Sequence, residues 1–256
     1  MMGFRVLLIK ELREQFRTNR FIAVAAVFVL FGIIGPLTDR YMKQLIEAIG
    51  SQSGGFSIQV PPPSLDGAGS QILKNLSQFG ILCALLLGMG SVAWEKERGT
   101  AGMILTKPAS RAAFLAAKLV AISLTLGVAV ALGCGFGYLY TLLLYPTIFP
   151  LSGFVAMALL MWWMLVVFAA ITLLGSTLTR SAIAAAGIGV FALIVFGIVG
   201  VLPVIGDYMP SSLGTPALDL ALGRDPGGIL GPVLFNVGLV AALFGITWAA
   251  FRRQEL

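Results

Sequence analysis

Apolar and polar positions fall along this chain in long blocks. Runs near residues 21–37, 76–94, 119–145, 151–179, 181–205 and 228–251 carry almost no charge. An apolar helix of about 17–25 residues crosses the roughly 30 Å hydrocarbon core of a bilayer. The blocks therefore predict six transmembrane helices and an all-α polytopic membrane fold. The first 20 residues follow a different rhythm. Phe4, Leu8, Leu12 and Phe16 recur every four positions among Arg5, Lys10, Glu11, Arg13, Glu14 and Arg17. That spacing predicts a basic amphipathic helix lying in the headgroup plane, apolar stripe toward lipid. A plain topology anchor explains the same residues equally well.

Composition agrees with the pattern. Apolar residues make up 58% of the chain and charged residues 11%, against about 25% charged in a soluble domain. The 256 residues suit one transmembrane domain over 1–256 with no fused soluble enzyme. The formal charge of +6 sits at the ends of the apolar runs. It orients helices and meets anionic lipid there, so the bilayer is the expected partner and nucleic acid is not. Cys83 and Cys134 fall inside predicted spans, without metal-ligand or disulfide spacing.

Charge also sets the orientation. With both termini inside, 13 of the 17 cations and 5 of the 11 acidic residues fall on inner segments. The positive-inside rule then places both termini, 94–111 and Arg180 in the cytoplasm of a bacterial or archaeal plasma membrane. Residues 38–75 and 206–227 become external loops. The first starts as a helical extension over Asp39–Ile49 and then turns Gly-, Ser- and Pro-rich. The second reads either as short helices dipping back or as a capped loop. Residues 145–150 form a tight outer hairpin. Tyr41, Tyr138, Tyr140, Tyr145 and Tyr208 lie near outer ends, as interfacial aromatics do.

Several chemistries are excluded. The chain has no histidine, which removes His-based catalysis and His-metal sites. No glycine precedes a lysine, so there is no phosphate loop of the G-x-x-x-x-G-K-[ST] type. No Asp, Glu, Lys or Arg lies near the centre of a predicted span, where pumps and ion-coupled transporters place their relays. The expectation is a transport body without its own engine: no enzyme, no bound cofactor and no metal.

Residues 94–111, WEKERGTAGMILTKPASR, are the most unusual segment. They hold Lys96, Arg98, Lys107 and Arg111 together with Glu95 and Glu97, between two apolar blocks. Their centre, Met103-Ile104-Leu105, has no membrane to enter. Gly99 permits a break at little steric cost. Thr100 can cap a short helix over Ala101–Thr106, Pro108 stops it, and Ser110 can cap the next span. Glu95 and Glu97 do little for topology, because acidic residues barely influence it.

The stretch Glu95-Lys-Glu97-Arg-Gly99-Thr100, followed by Thr106-Lys-Pro108-Ala-Ser110-Arg111 and Lys118, resembles the membrane subunits of type 2 ABC transporters. The Lys10-Glu11-Leu12-Arg13 run before the first span and the six-span plan resemble them too. The specific part covers about 25 residues. It is closest to the branch that includes the nitrous-oxide-reductase maturation permease and drug or antibiotic exporters. The resemblance implies a permease, an exporter by branch, that pairs with a second copy of itself or a related permease. Two separate ATPase subunits would supply ATP and Mg, and the coupling helix would present Glu95, Glu97, Gly99, Thr100, Met103, Ile104 and Leu105 to them. A non-transport membrane scaffold or assembly factor is the competing reading.

Two features inside the spans are further candidates. Small residues at Ala182, Ala185 and Gly189, like those at Gly133 and Gly137, permit close helix approach. They fit packing within one chain or a dimer seam. Trp162 and Trp163, with Met157, Met161 and Met164 nearby, lie at mid-membrane depth. They fit either ordinary packing or a path for a lipophilic substrate.

Overall fold

The computed structural model describes residues 2–50, 62–99, 110–203 and 205–254. Its helices are α1 (Met2–Arg17), α2 (Arg20–Gly50), α3 (Leu65–Met89), α4 (Ala93–Glu97), α5 (Arg111–Leu144), α6 (Leu151–Leu178), α7 (Ala182–Val199), α8 (Gly214–Ala221) and α9 (Leu230–Arg252). Six are long and apolar enough to span a bilayer: α2, α3 continued through α4, α5, α6, α7 and α9. Among the described residues there is no strand.

The six expected spans are present, and several are longer than their apolar blocks. The second begins at Leu65 and the third at Arg111. Much of the expected outer loop 38–75 is therefore helix, and only 62–64 is described as irregular, residues 51–61 lying outside the described residues. Pro36 lies inside α2 without ending it. Polar outer turns extend these helices because backbone hydrogen bonding continues where side-chain hydropathy stops. Residues 206–227 take the short-helix alternative: 3₁₀ turns at Gly206–Tyr208 and Pro210–Leu213, then α8.

Side-chain caps fix the starts of two spans. Ser64 accepts a hydrogen bond from the Gly67 amide at 3.0 Å, and Ser110 accepts one from the Ala113 amide at 3.1 Å. Each satisfies an otherwise unpaired first-turn donor. Ser110 is the cap expected from sequence.

The core lies where α2, α3, α5 and α6 meet, around Phe28, Ile72, Leu76, Leu126, Met157, Met161, Leu165 and Phe168. Close approach depends on missing side chains. A Cβ at Gly32 would overlap the Gly133 carbonyl, and one at Gly153 would overlap the Leu220 carbonyl where α8 lies on α6. Met157, Met161 and Met164 are buried in this core.

The outer end is tied by Asp39. Its carboxylate accepts from the Tyr145 hydroxyl at 2.6 Å and from the Ser64 amide at 3.0 Å. This one side chain joins α2, the start of α3 and the end of α5. At the opposite end Ser176 closes the break between α3 and α4. It accepts from the Val92 and Ala93 amides at 3.0 and 2.9 Å and donates to the Met89 carbonyl at 2.9 Å.

Candidate functional site

The described residues of the segments expected to be cytoplasmic converge at one end of the bundle. Arg111, first residue of α5, donates to the carbonyls of Phe251, Arg252 and Gln254 at 2.9, 2.8 and 3.2 Å. It thereby caps the C-terminus of α9, whose last carbonyls have no helical partner. Gln254 in turn donates to the Thr177 carbonyl at 2.9 Å, and Lys96 reaches the same oxygen. Phe114 stacks on Phe251 with ring centroids 5.5 Å apart.

The helix α1 reverses onto this end through Asn19, whose φ is +55°. Asparagine enters the left-handed region more readily than most residues. The buried stripe of α1 is Leu7, Glu11 and Gln15. That is one position, or about 100° of rotation, from the stripe expected at Phe4, Leu8, Leu12 and Phe16. Phe4 and Leu8 do pack, against Leu7, Val92, Phe114, Leu115, Leu173 and Phe251. Leu12 is half-buried. Phe16 is 54% exposed and touches only the Phe21 ring among aromatics, 4.5 Å between centroids. Glu11 and Gln15 add buried polar groups to the docking face of α1, and a search for apolar periodicity passes over them.

Glu11 is the centre of that surface. Its Oε1 accepts from Lys10 and from Lys118, both at 3.0 Å. Oε1 of Glu95 accepts from the same two ammoniums, at 2.6 and 3.1 Å. Two cations and two carboxylates thus alternate in a neutral ring joining α1, α4 and α5. One turn along, the Thr125 hydroxyl donates to Oε1 of Gln15. Lys118 is 2% exposed. A charge so deep is tolerated only where it is paired and hydrogen-bonded.

Titration follows the ring. Burial alone would lower the Lys10 pKa, but the hydrogen bond to Glu95 and the charges of Glu11 and Glu95 outweigh it and hold the ammonium above its usual range. Burial would likewise raise the Glu11 carboxyl, while the charges of Lys118 and Lys10 outweigh it and keep it below the ordinary carboxylate value. Carboxylate oxygens of Glu11, Glu14 and Glu95 lie within 4.8 Å of one another. Lysine ammoniums already supply the positive charge there.

The expected coupling residues divide. Glu95 is turned into the ring, which corrects its expected role as an outward partner for another subunit's cations. Glu97 is exposed. Gly99 has φ +67°, a conformation costly for other residues, and it ends α4 as the sequence suggests. Thr100, Met103, Ile104 and Leu105 lie outside the described residues.

The mid-membrane candidates divide as well. The Trp162 indole donates to the Ser123 carbonyl at 2.8 Å. It lines an apolar cavity of about 430 Å³ between α5 and α6. The Trp163 ring stands edge-on to it at 6.3 Å, and its buried Nε1 has no partner among the described residues. Ala185 and Gly189 are buried within this chain. A Cβ at Gly189 would stand 2.5 Å from Leu85 Cδ2, and the Ala185 carbonyl lies 3.0 Å from a Cβ built on Gly175. The dimer-seam alternative for Ala182, Ala185 and Gly189 fails at its two central residues, because α3 and α6 already occupy that face. Ala182 is half-buried at its edge.

Six spans with both termini at one end, and a charged hairpin anchored there, are the plan that the sequence shares with transporter membrane subunits. A family model described as ABC-2 family transporter protein matches residues 5–218. The chain belongs to the ABC-2 transporter family. This ABC-2 protein is also similar to an uncharacterized transmembrane protein, YxlG, from Bacillus subtilis (strain 168). The two are 30% identical over 257 residues, which is 97% of each chain. Membership makes the ABC-2 protein an integral membrane component of a transporter, one that is not itself catalytic.

The ring was missed at sequence level for a definite reason. The third apolar run starts at residue 119, so hydropathy leaves Lys118 outside the span. With α5 beginning at Arg111, Lys118 stands in its second full turn, inside the bundle. A lone cation in a helix that deep calls for carboxylate partners, and of the acids at that end Glu11 and Glu95 supply them.

Proposed function

We propose that the chain is the permease subunit of an ATP-driven exporter, coupled through residues 100–109 to a separate ATPase subunit. The observation that carries this reading is the framing of that segment. It leaves α4 at Gly99 and re-enters α5 at the Ser110 cap, and the ring of Lys10, Glu11, Glu95 and Lys118 clamps both flanks to α1. A push on the segment then moves α3, α5 and α1 together. Glu95 acts as an internal anchor, while Glu97 and Met103, Ile104 and Leu105 form the dock. Burying an apolar anchor contributes roughly 1.5–3 kcal/mol, before the costs of association. Two permease copies would bind two ATPase copies, which hold ATP and Mg. The termini would be cytoplasmic, in a bacterial plasma membrane. The cavity beside Trp162 supports a lipophilic cargo.

The test is Ile104→Asp. A charge held unpaired in a protein groove costs several kcal/mol, whereas outside hydrocarbon it leaves insertion untouched. The variant should express and fold normally, yet fail to co-purify with the ATPase or to stimulate its hydrolysis. Full binding and full stimulation would overturn the docking role of residues 100–109, and no ATPase binding even by the unaltered chain would favour a scaffold.

A further inference from the structure

The charged end holds an open cavity of about 820 Å³ between α1 and the ends of α3, α4 and α5. Its lining holds six cations and three carboxylates. Lys10 and Lys118 are neutralised by Glu11 and Glu95 in the ring, and Glu14 stands 3.7 Å from Lys10. Arg20 lies over the Trp94 ring, 4.5 Å from its centroid. Arg13, Arg17 and Arg98 remain, and among the described residues none is in an ion pair. Three arginines lining one space suit phosphate-like anions, which arginine grips with paired donors.

The cavity is not polar throughout. Leu87, in the last turn of α3, lines it, as does Ile122, one turn or about 6 Å beyond Lys118 along α5. Trp94 lines the cavity as well. A free anion would leave the apolar end empty. An amphiphile fills both, with its phosphate among the arginines and its glycerol and upper chains against Leu87 and Ile122.

We propose that this cavity binds an anionic phospholipid, with Arg13, Arg17 and Arg98 as the headgroup receptor. The site sits against the ring, so an occupied cavity also ties α1 to α4. The proposal does not depend on the ATPase reading, and a failed ATPase dock would leave it standing.

The full-length chain in zwitterionic detergent would be titrated with fluorescent dioleoyl phosphatidylglycerol, with phosphatidylcholine as control. Saturable binding of the first lipid only is expected. Arg13→Gln/Arg17→Gln/Arg98→Gln should weaken it roughly a hundredfold, at about one surface-cation contribution per residue. All three side chains are exposed, and an unchanged melting temperature verifies the fold. Arg5→Gln/Arg180→Gln/Arg253→Gln removes exposed cations of the same end that do not line the cavity, and should leave affinity unchanged. Equal losses in the two triple variants would mean diffuse attraction to basic surface and overturn the site. Displacement of the lipid by excess inorganic phosphate at constant ionic strength would reassign the cavity to a free anion. Absence of saturable binding would also overturn it.

Discussion

Helices α7 and α9 differ from α3 and α6 in almost nothing that hydropathy measures. Their most apolar windows have mean hydropathies of 2.7 and 2.0, against 1.8 and 2.5. Yet only 11% of each is buried within the chain, against 56% and 61%. The glycines show the same division. Gly32, Gly133 and Gly153 are pressed against neighbouring backbone, while Gly187, Gly197, Gly238 and Gly245 have no atom within 4 Å of a built Cβ. Lipid and protein are equally apolar, so burial in a membrane protein reports fit rather than hydrophobicity. One part of the molecule is a fixed body. The other is a pair of helices with one face on that body and the rest turned to lipid or another chain.

The sharpest way to break this contrast is Gly32→Leu. Overpacking ordinarily costs about 1–3 kcal/mol when side chains can yield; here the obstacle is the Gly133 backbone. No monodisperse protein should be recovered in detergent, and a normal melt would refute the close approach. Lys118→Ala comes next. It leaves Glu11 and Glu95 short of a cation, at a cost of about 3–5 kcal/mol for a buried pair broken on one side. Adding Glu11→Met to Lys118→Met leaves Lys10 with Glu95 and should recover most of the thermal stability.

Gly189→Leu probes the face of α7 that packs inward. Its nearest obstacle is the flexible end of Leu85, so the expected loss is about 1–3 kcal/mol, seen in the chain's own melting temperature. A drop in dimer mass with an unchanged melt would restore the seam. Gly238→Leu on the open face of α9 should change stability by about 0.5 kcal/mol or less.

The smallest effect is that of pH on α1. Glu11 has a lowered carboxyl pKa, so its contribution is complete above the ordinary carboxylate value and is lost as pH falls through the depressed one. Lys10 has a raised pKa, so its contribution is complete below the ordinary ammonium value and is lost as pH rises through the raised one. The docked state should hold between about pH 5 and 10. Spin labels at Ile9 and Arg253, in a chain lacking Cys83 and Cys134, should move apart only outside that window. Separation at neutral pH would contradict the ring.

The number of spans, their order and the gathering of both termini at one end were determined by the sequence alone. The reason is that the bilayer filters for length and charge, and both are written in linear order. The Ser110 cap and the Gly99 break were legible for a similar reason, since each acts within one or two turns of itself. Tertiary structure decided what depends on which faces meet. Glu11 and Lys118 are 107 positions apart, and nothing local marks them as partners. Glu95 reads as an outward charge until α1 is laid over it. Ala185 and Gly189 offer a smooth face to any helix, and only the packed bundle shows that α3 and α6 have taken it. Periodicity reveals that a face exists; its occupant is fixed by shape and charge complementarity between distant segments.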